Sequence, residues 1–143
     1  MRMREIIDLV EGSTGTFTAA QAREIGSCAI IAMSKITGLS WEEVFEVARP
    51  HFGRYGMNSG QTHATMVDLG WKDAGIIGKI LMQNMNVREA EAYLRETEPD
   101  ARVMASINVD RVPHAIAFVD GKFHNVLGAY RAKVRLAYRW VKA

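Results

Sequence analysis

The 143-residue chain holds one cysteine, three prolines and no long apolar run, and each scarcity closes off an explanation. One cysteine cannot form an internal disulfide, and it cannot bind a metal without help from histidines or carboxylates. No stretch approaches the ~20 apolar residues that a membrane-spanning helix needs. The opening residues, MRMREIIDLVEG, mix acids into the apolar part and lack a small-residue cleavage site, so they do not read as a secretion signal. These features lead to the expectation of a cytoplasmic protein in a reducing compartment. Net charge is only +2, which gives little global attraction for nucleic acid. The charge is uneven, however: from Lys122 onward come Lys122, Arg131, Lys133, Arg135, Arg139 and Lys142, and no acid.

What is present is globular in kind. Hydrophobic residues make up 48% and charged residues 24%, close to the average of soluble domains. A chain of this length can bury roughly 70% of its unfolded surface around one core. There is no repeat, low-complexity stretch or linker, so residues 1–143 read as a single domain.

The first half is punctuated for helices. Thr18-Ala-Ala-Gln21 and Ser40-Trp-Glu-Glu43 fit the capping box, an N-cap oxygen with Gln or Glu three residues later. Ser27 precedes an apolar run from Cys28 to Thr37, and Gly38 stands where a helix would stop. Pro50 ends the helix begun at Ser40, Asn58-Ser-Gly60 reads as a turn, and Thr62 to Leu69 reads as a helix stopped by Gly70. Asn86-Val-Arg-Glu89 opens another helix, running to about Thr97. Met33, Met66, Met82 and Trp41 read as core.

After Pro99 the hydrophobic period drops to two, the mark of half-buried strands. Val103 to Val109 is one strand, and Pro113 to Val119 is a second. Asp120-Gly121 is a tight-turn signal leading into a third, Lys122 to Val126. The tail alternates again, with Val134, Leu136, Tyr138 and Trp140 opposite Lys133, Arg135 and Arg139. Helices first and an antiparallel sheet second predict an α+β fold, with N-terminal helices packed on a C-terminal sheet.

Three residues carry chemistry. Cys28, just after Ser27, would sit at the first position of its helix, where the positive helix end favours a thiolate. Free cysteine is also among the most buried residue types, and alone it more often behaves as a small hydrophobe. His114 heads an apolar strand and can accept a thiol proton on one nitrogen while being oriented through the other. A two-residue loop at Asp120-Gly121 sets Asn125 opposite Ile116, on the face of His114 and within reach of its ring. His124, on the other face, reads as a solvated surface group. Gln21, seven residues before Cys28, can donate to an oxyanion or serve in the capping box already assigned.

The order Gln21…Gly26-Ser27-Cys28-Ala29 followed by Pro113-His114…Asp120-Gly121…Asn125 resembles the papain-like cysteine peptidase superfamily. It is most similar to small members, the bacteriocin-leader-peptidase-like domains and short papain-like proteins of bacteriophages and bacteria. The matching pieces are Cys28 to Gly38, Leu39 to Val44, Gly53-Arg54, Asn58-Ser-Gly60 and His114 to Asn125. The resemblance implies a thiol amide hydrolase without a cofactor. Cys28 would be the nucleophile, His114 the base and then acid, Asn125 the group orienting the ring, and Gln21 with the Cys28 amide the oxyanion holders. Its partner would be a peptide or protein substrate, or a host protein if the domain is a catalytically inactive binder. Cys28 is followed by Ala29 where leader peptidases carry glycine, and Ser27-Cys28-Ala29 lacks the pattern of cell-wall endopeptidases.

Two further functions fit the sequence less well. The basic tail would suit nucleic acid, but such a stripe more commonly guards an exposed edge strand, so nucleic acid is not the expected partner. Metal binding has no support in the spacing, because His51 and His63 are twelve apart and no histidine pair sits one helical turn apart with a carboxylate. Arg54, Asn58 and Gln61 read as turn residues that could line the cleft.

Overall fold

The structure, a computed structural model, describes residues 17–53 and 56–143; the opening segment and Arg54 lie outside them. Among the described residues there are six α-helices and five strands. In chain order they are α1 (Ala19–Ile25), α2 (Cys28–Thr37), α3 (Trp41–Ala48), a 3-10 turn (Arg49–His51), α4 (Ser59–Asp68), β1 (Trp71–Ile76), α5 (Gly78–Met82), α6 (Val87–Thr97), β2 (Val103–Val109), β3 (Val112–Val119), β4 (Lys122–His124) and β5 (Leu136–Lys142). The strands make one antiparallel sheet in the order β1-β5-β2-β3-β4. The class is α+β.

Local signals set the element ends. Reciprocal capping boxes form at Thr18/Gln21, Ser40/Glu43 and Asn86/Glu89, each satisfying two backbone donors that helix geometry would orphan. A fourth forms at Asn58/Gln61, so the residues read as a turn are the first turn of α4. Gly38 closes α2 with φ 78°, a left-handed value that costs a residue without Cβ nothing. Asp120 and Gly121, with φ 55° and 80°, form the expected two-residue hairpin loop. Asp110 and Arg111, with φ 50° and 68°, make a second such loop between β2 and β3. Asn125 has φ 63°, which ends β4 at His124, two residues short of the span expected.

Helices cover both faces of the sheet, not one. On the first face Ile30, Met33 and Ile36 of α2, Phe45 of α3 and Met66 of α4 pack with Met104, Ala117, Val119, Tyr138 and Trp140. On the second, Ile80 of α5 and Val87, Ala90 and Leu94 of α6 pack with Val103, Ala105, Ile107, Ile116 and Phe118. Strand alternation divides β2 and β3 between the two, so β2, expected to be half-buried, is covered on both faces. Each buried Leu, Ile, Val, Phe or Met contributes about 1.5–3 kcal/mol relative to exposure.

Some residues depart from their sequence reading. The sheet is not wholly C-terminal, since β1 precedes α5 and α6; it gave no period-two signal because only Trp71 of its six residues is buried. Val134 belongs to the second core and the strand starts at Leu136, so the tail is not one alternating strand. Met33 and Met66 are core, Trp41 is half-buried, and Met82 is 87% exposed at the end of α5.

Candidate active site

Cys28 is the first residue of α2, and its free thiol is half-buried. Ser27 precedes it at the N-cap, but its hydroxyl does not bond the helix. Instead Ser27 Oγ accepts a hydrogen bond from the Trp41 indole Nε1 at 3.1 Å. Trp41 is held in turn, stacked on Phe45 at 5.1 Å and covered by the Arg23 guanidinium at 3.8 Å. Thus α1, α3, α4 and α6 carry side-chain caps, while the cysteine-bearing helix meets its surroundings with first-turn amides uncapped by a side chain. Gly56 stands beside Gly26, two residues before Cys28. Gly53 and Gly56 bond each other's backbone, and a Cβ on Gly56 would stand 3.4 Å from the Gly26 carbonyl oxygen.

His114 is the third residue of β3 and half-buried. Its Nε2 lies 2.7 Å from the main-chain carbonyl of Asn125. A carbonyl only accepts, so Nε2 carries the hydrogen and Nδ1 of a neutral ring is the basic nitrogen. The structure therefore joins His114 and Asn125, although through the Asn125 backbone and not its amide side chain. The left-handed turn at Asn125 explains the exchange, because it swings the chain out of the ladder just past the Ala117–His124 pair.

The position of Cys28 relative to that ring follows from how α2 lies. Arg102, just before β2, donates from Nη1 to the Ile36 carbonyl, so the C-terminal turn of α2 sits by the Val103–Phe118 pair. The Cys28 end of a ten-residue helix, ~15 Å long, then points toward the start of β3, where His114 is. The faces differ, however. Ala115, Ala117 and Val119 meet the α2 side, while His114 pairs with Ile107, which lies in the core beneath α6. Among the described residues no hydrogen bond links Cys28 to His114. The ladder beside His114 is open, since β4 pairs only with Ala117, Phe118 and Val119.

Gln21 is placed by its cap: its Oε1 accepts from the Thr18 N–H at 2.9 Å, and Thr18 Oγ1 accepts from the Gln21 N–H at 3.2 Å. That is the structural role, with the side-chain oxygen directed at Thr18. Asn58 and Gln61 are engaged with each other in the same way. His124 points to the α2 face through its pairing with Ala117, and its Nε2 donates to the Val119 carbonyl at 3.0 Å, so it is less solvated than expected. His51 and His63 stand beside Asp68 and Asp73 at 3.7 Å and 3.9 Å. Trp41 had read as core filler, and nothing in the sequence marked its bond to Ser27, which spans fourteen residues.

A shallow cavity of about 580 Å³, lined by Trp71, Glu98, Arg102 and Lys142 among others, lies at the opposite end of α2 from Cys28. Among the described residues no helix is long and apolar enough to cross a membrane. No family model, no curated protein and no solved structure matches the chain.

Proposed function

We propose that this chain is a papain-like thiol hydrolase acting on an amide bond of a peptide or protein. The observation that carries the reading is the His114 Nε2–H donated to the Asn125 carbonyl at 2.7 Å, on β3, the strand against which the cysteine-bearing helix packs. It leaves Nδ1 as the base. In the reaction the Cys28 Sγ–H proton passes to His114 Nδ1, and the thiolate attacks the amide carbon. The uncapped first-turn amides of α2 stabilise the oxyanion. As the C–N bond breaks, the imidazolium returns the proton to the leaving amine. Water then hydrolyses the thioester, giving the acid and the free thiol. For the proton to move, the imidazole must come round the open edge of β3, because its backbone position faces α6.

That placement favours a second reading, a catalytically inactive domain that binds a protein partner. Alkylation by iodoacetamide at pH 6 separates the two. The hydrolase requires Cys28 to react at least tenfold faster than a thiol with an ordinary pKa of about 8.5, and His114→Ala to slow it by a similar factor. An ordinary rate, unchanged by His114→Ala, overturns the hydrolase and selects the binding domain.

A further inference from the structure

The basic tail is the motif that the fold leaves without a purpose. An edge-guarding role does not apply, because β5 lies between β1 and β2 and has no free edge. Nor do its residues form one stripe. Arg139, within β5, is neutralised by Glu98 at 2.5 Å. Arg131, Lys133 and Arg135 come before β5, are exposed, and make no ion pair among the described residues.

The segment that carries them is pinned along its length. Arg88 N–H donates to the Tyr130 carbonyl at 3.1 Å, Val87 N–H to that of Ala132 at 3.0 Å, Val134 N–H to that of Met85 at 2.9 Å, and Arg135 N–H to that of Ser106 at 2.7 Å. Ala132 and Val134 pack inward on the core beneath α6. Arg131 stands in a turn closed by the Ala132 N–H donating to the Ala129 carbonyl at 3.0 Å, Lys133 and Arg135 flank the buried Val134, and all three are exposed. Arg88, exposed on the first turn of α6, joins them beside Tyr130, which is 37% exposed. Four unneutralised cations and an accessible aromatic ring thus stand on backbone that is already ordered, so little conformational entropy is lost on binding.

We propose that Arg88, Tyr130, Arg131, Lys133 and Arg135 form a binding ridge for single-stranded nucleic acid. The cations track one row of phosphates and Tyr130 stacks on a base. A few cations with one aromatic ring beside them suit a single strand, whose unpaired bases are free to stack. The ridge does not involve Cys28 and stands whether or not the thiol is catalytic.

The test is fluorescence anisotropy with a labelled 20-nucleotide oligo(dT). Four phosphate contacts give a log–log salt slope of about −2.8, so raising salt from 50 to 200 mM weakens binding about 50-fold. The triple variant R131A/K133A/R135A should flatten the slope to about −0.7, and Tyr130→Ala should weaken binding about tenfold. The control K122A/K142A, which removes two exposed cations outside the ridge, should leave affinity within about threefold. If the triple variant melts early, Arg131→Ala alone gives the same reading, a slope smaller by about 0.7. No binding at 50 mM salt overturns the proposal, as does equal loss in the control. Tighter ridge-dependent binding of phosphatidylserine vesicles or polyglutamate than of the oligonucleotide also overturns it, in favour of a membrane surface or an acidic protein.

Discussion

The ion pair between Glu98 and Arg139 ties the loop after α6 to β5, and its worth can be worked out from its geometry. Arg139 Nε donates to Glu98 Oε1 at 2.5 Å and Nη2 to Oε2 at 2.6 Å, the two-pronged arrangement that planar guanidinium and carboxylate favour. The side chains keep 26% and 30% of their exposure, so water screens the pair only partly. A fully exposed pair contributes about 0.2–1 kcal/mol. Two charge-assisted bonds in partial burial raise this to about 1–2 kcal/mol. The bond from Arg139 holds the Glu98 carboxyl below its ordinary value of 4.5. A carboxyl lowered in the folded state adds stability that is complete above the unfolded pKa and lost as pH falls through the folded one. Urea unfolding of Glu98→Gln at pH 7 should therefore show a loss of about 1–2 kcal/mol that fades in acid. A double-mutant cycle with Arg139→Met should give a coupling of about 1 kcal/mol. Coupling below about 0.3 kcal/mol, or a Glu98→Gln deficit unchanged near pH 3, refutes the reasoning.

Two further outcomes follow from burial. Ile30 is fully buried on α2, the helix that presents Cys28, so Ile30→Ala should cost about 2–5 kcal/mol by lost transfer energy and a cavity. Thermal unfolding should fall by roughly 10 °C, and a fall under 2 °C would mean that α2 is not packed as described. Tyr138 is pushed up to about 12 by burial, with the negative charge of Asp73 adding to it. Its proton is held more tightly in the folded state, so the associated stability is complete below pH 10 and lost as pH rises through about 12. Absorbance near 295 nm should show one of the four tyrosines ionising last, and Tyr138→Phe should abolish that phase. A single phase near pH 10 would contradict the burial.

Much of the local structure was legible in the residues because its causes are local. Capping boxes at Thr18, Ser40 and Asn86, the glycine stop at Gly38 and the Asp120-Gly121 loop each act over two to four residues. Cys28 at the start of a helix, and His114 near the start of a strand beside Asn125, were readable for the same reason. Signals that needed distant partners failed. Ser27 does stand at the N-cap before Cys28, but its hydroxyl bonds the Trp41 indole and not the helix. The short strand β1 carries no alternation, since as an edge strand it buries one residue of six.

What the sequence by itself determined, then, was the place of the strands β2, β3 and β4 and the ends of most helices, because periodicity, turns and caps are properties of neighbouring residues. It could not determine which core each strand face would meet. β2 and β3 are apolar on both sides, and only docking α2 on one face and α6 on the other decided that Ala115 looks toward the cysteine helix and His114 away from it. The same step placed β5 in the interior and left Arg131, Lys133 and Arg135 exposed beside Arg88. Strand order and face assignment are long-range choices, made when whole elements bury apolar area together, and no window of adjacent residues records them.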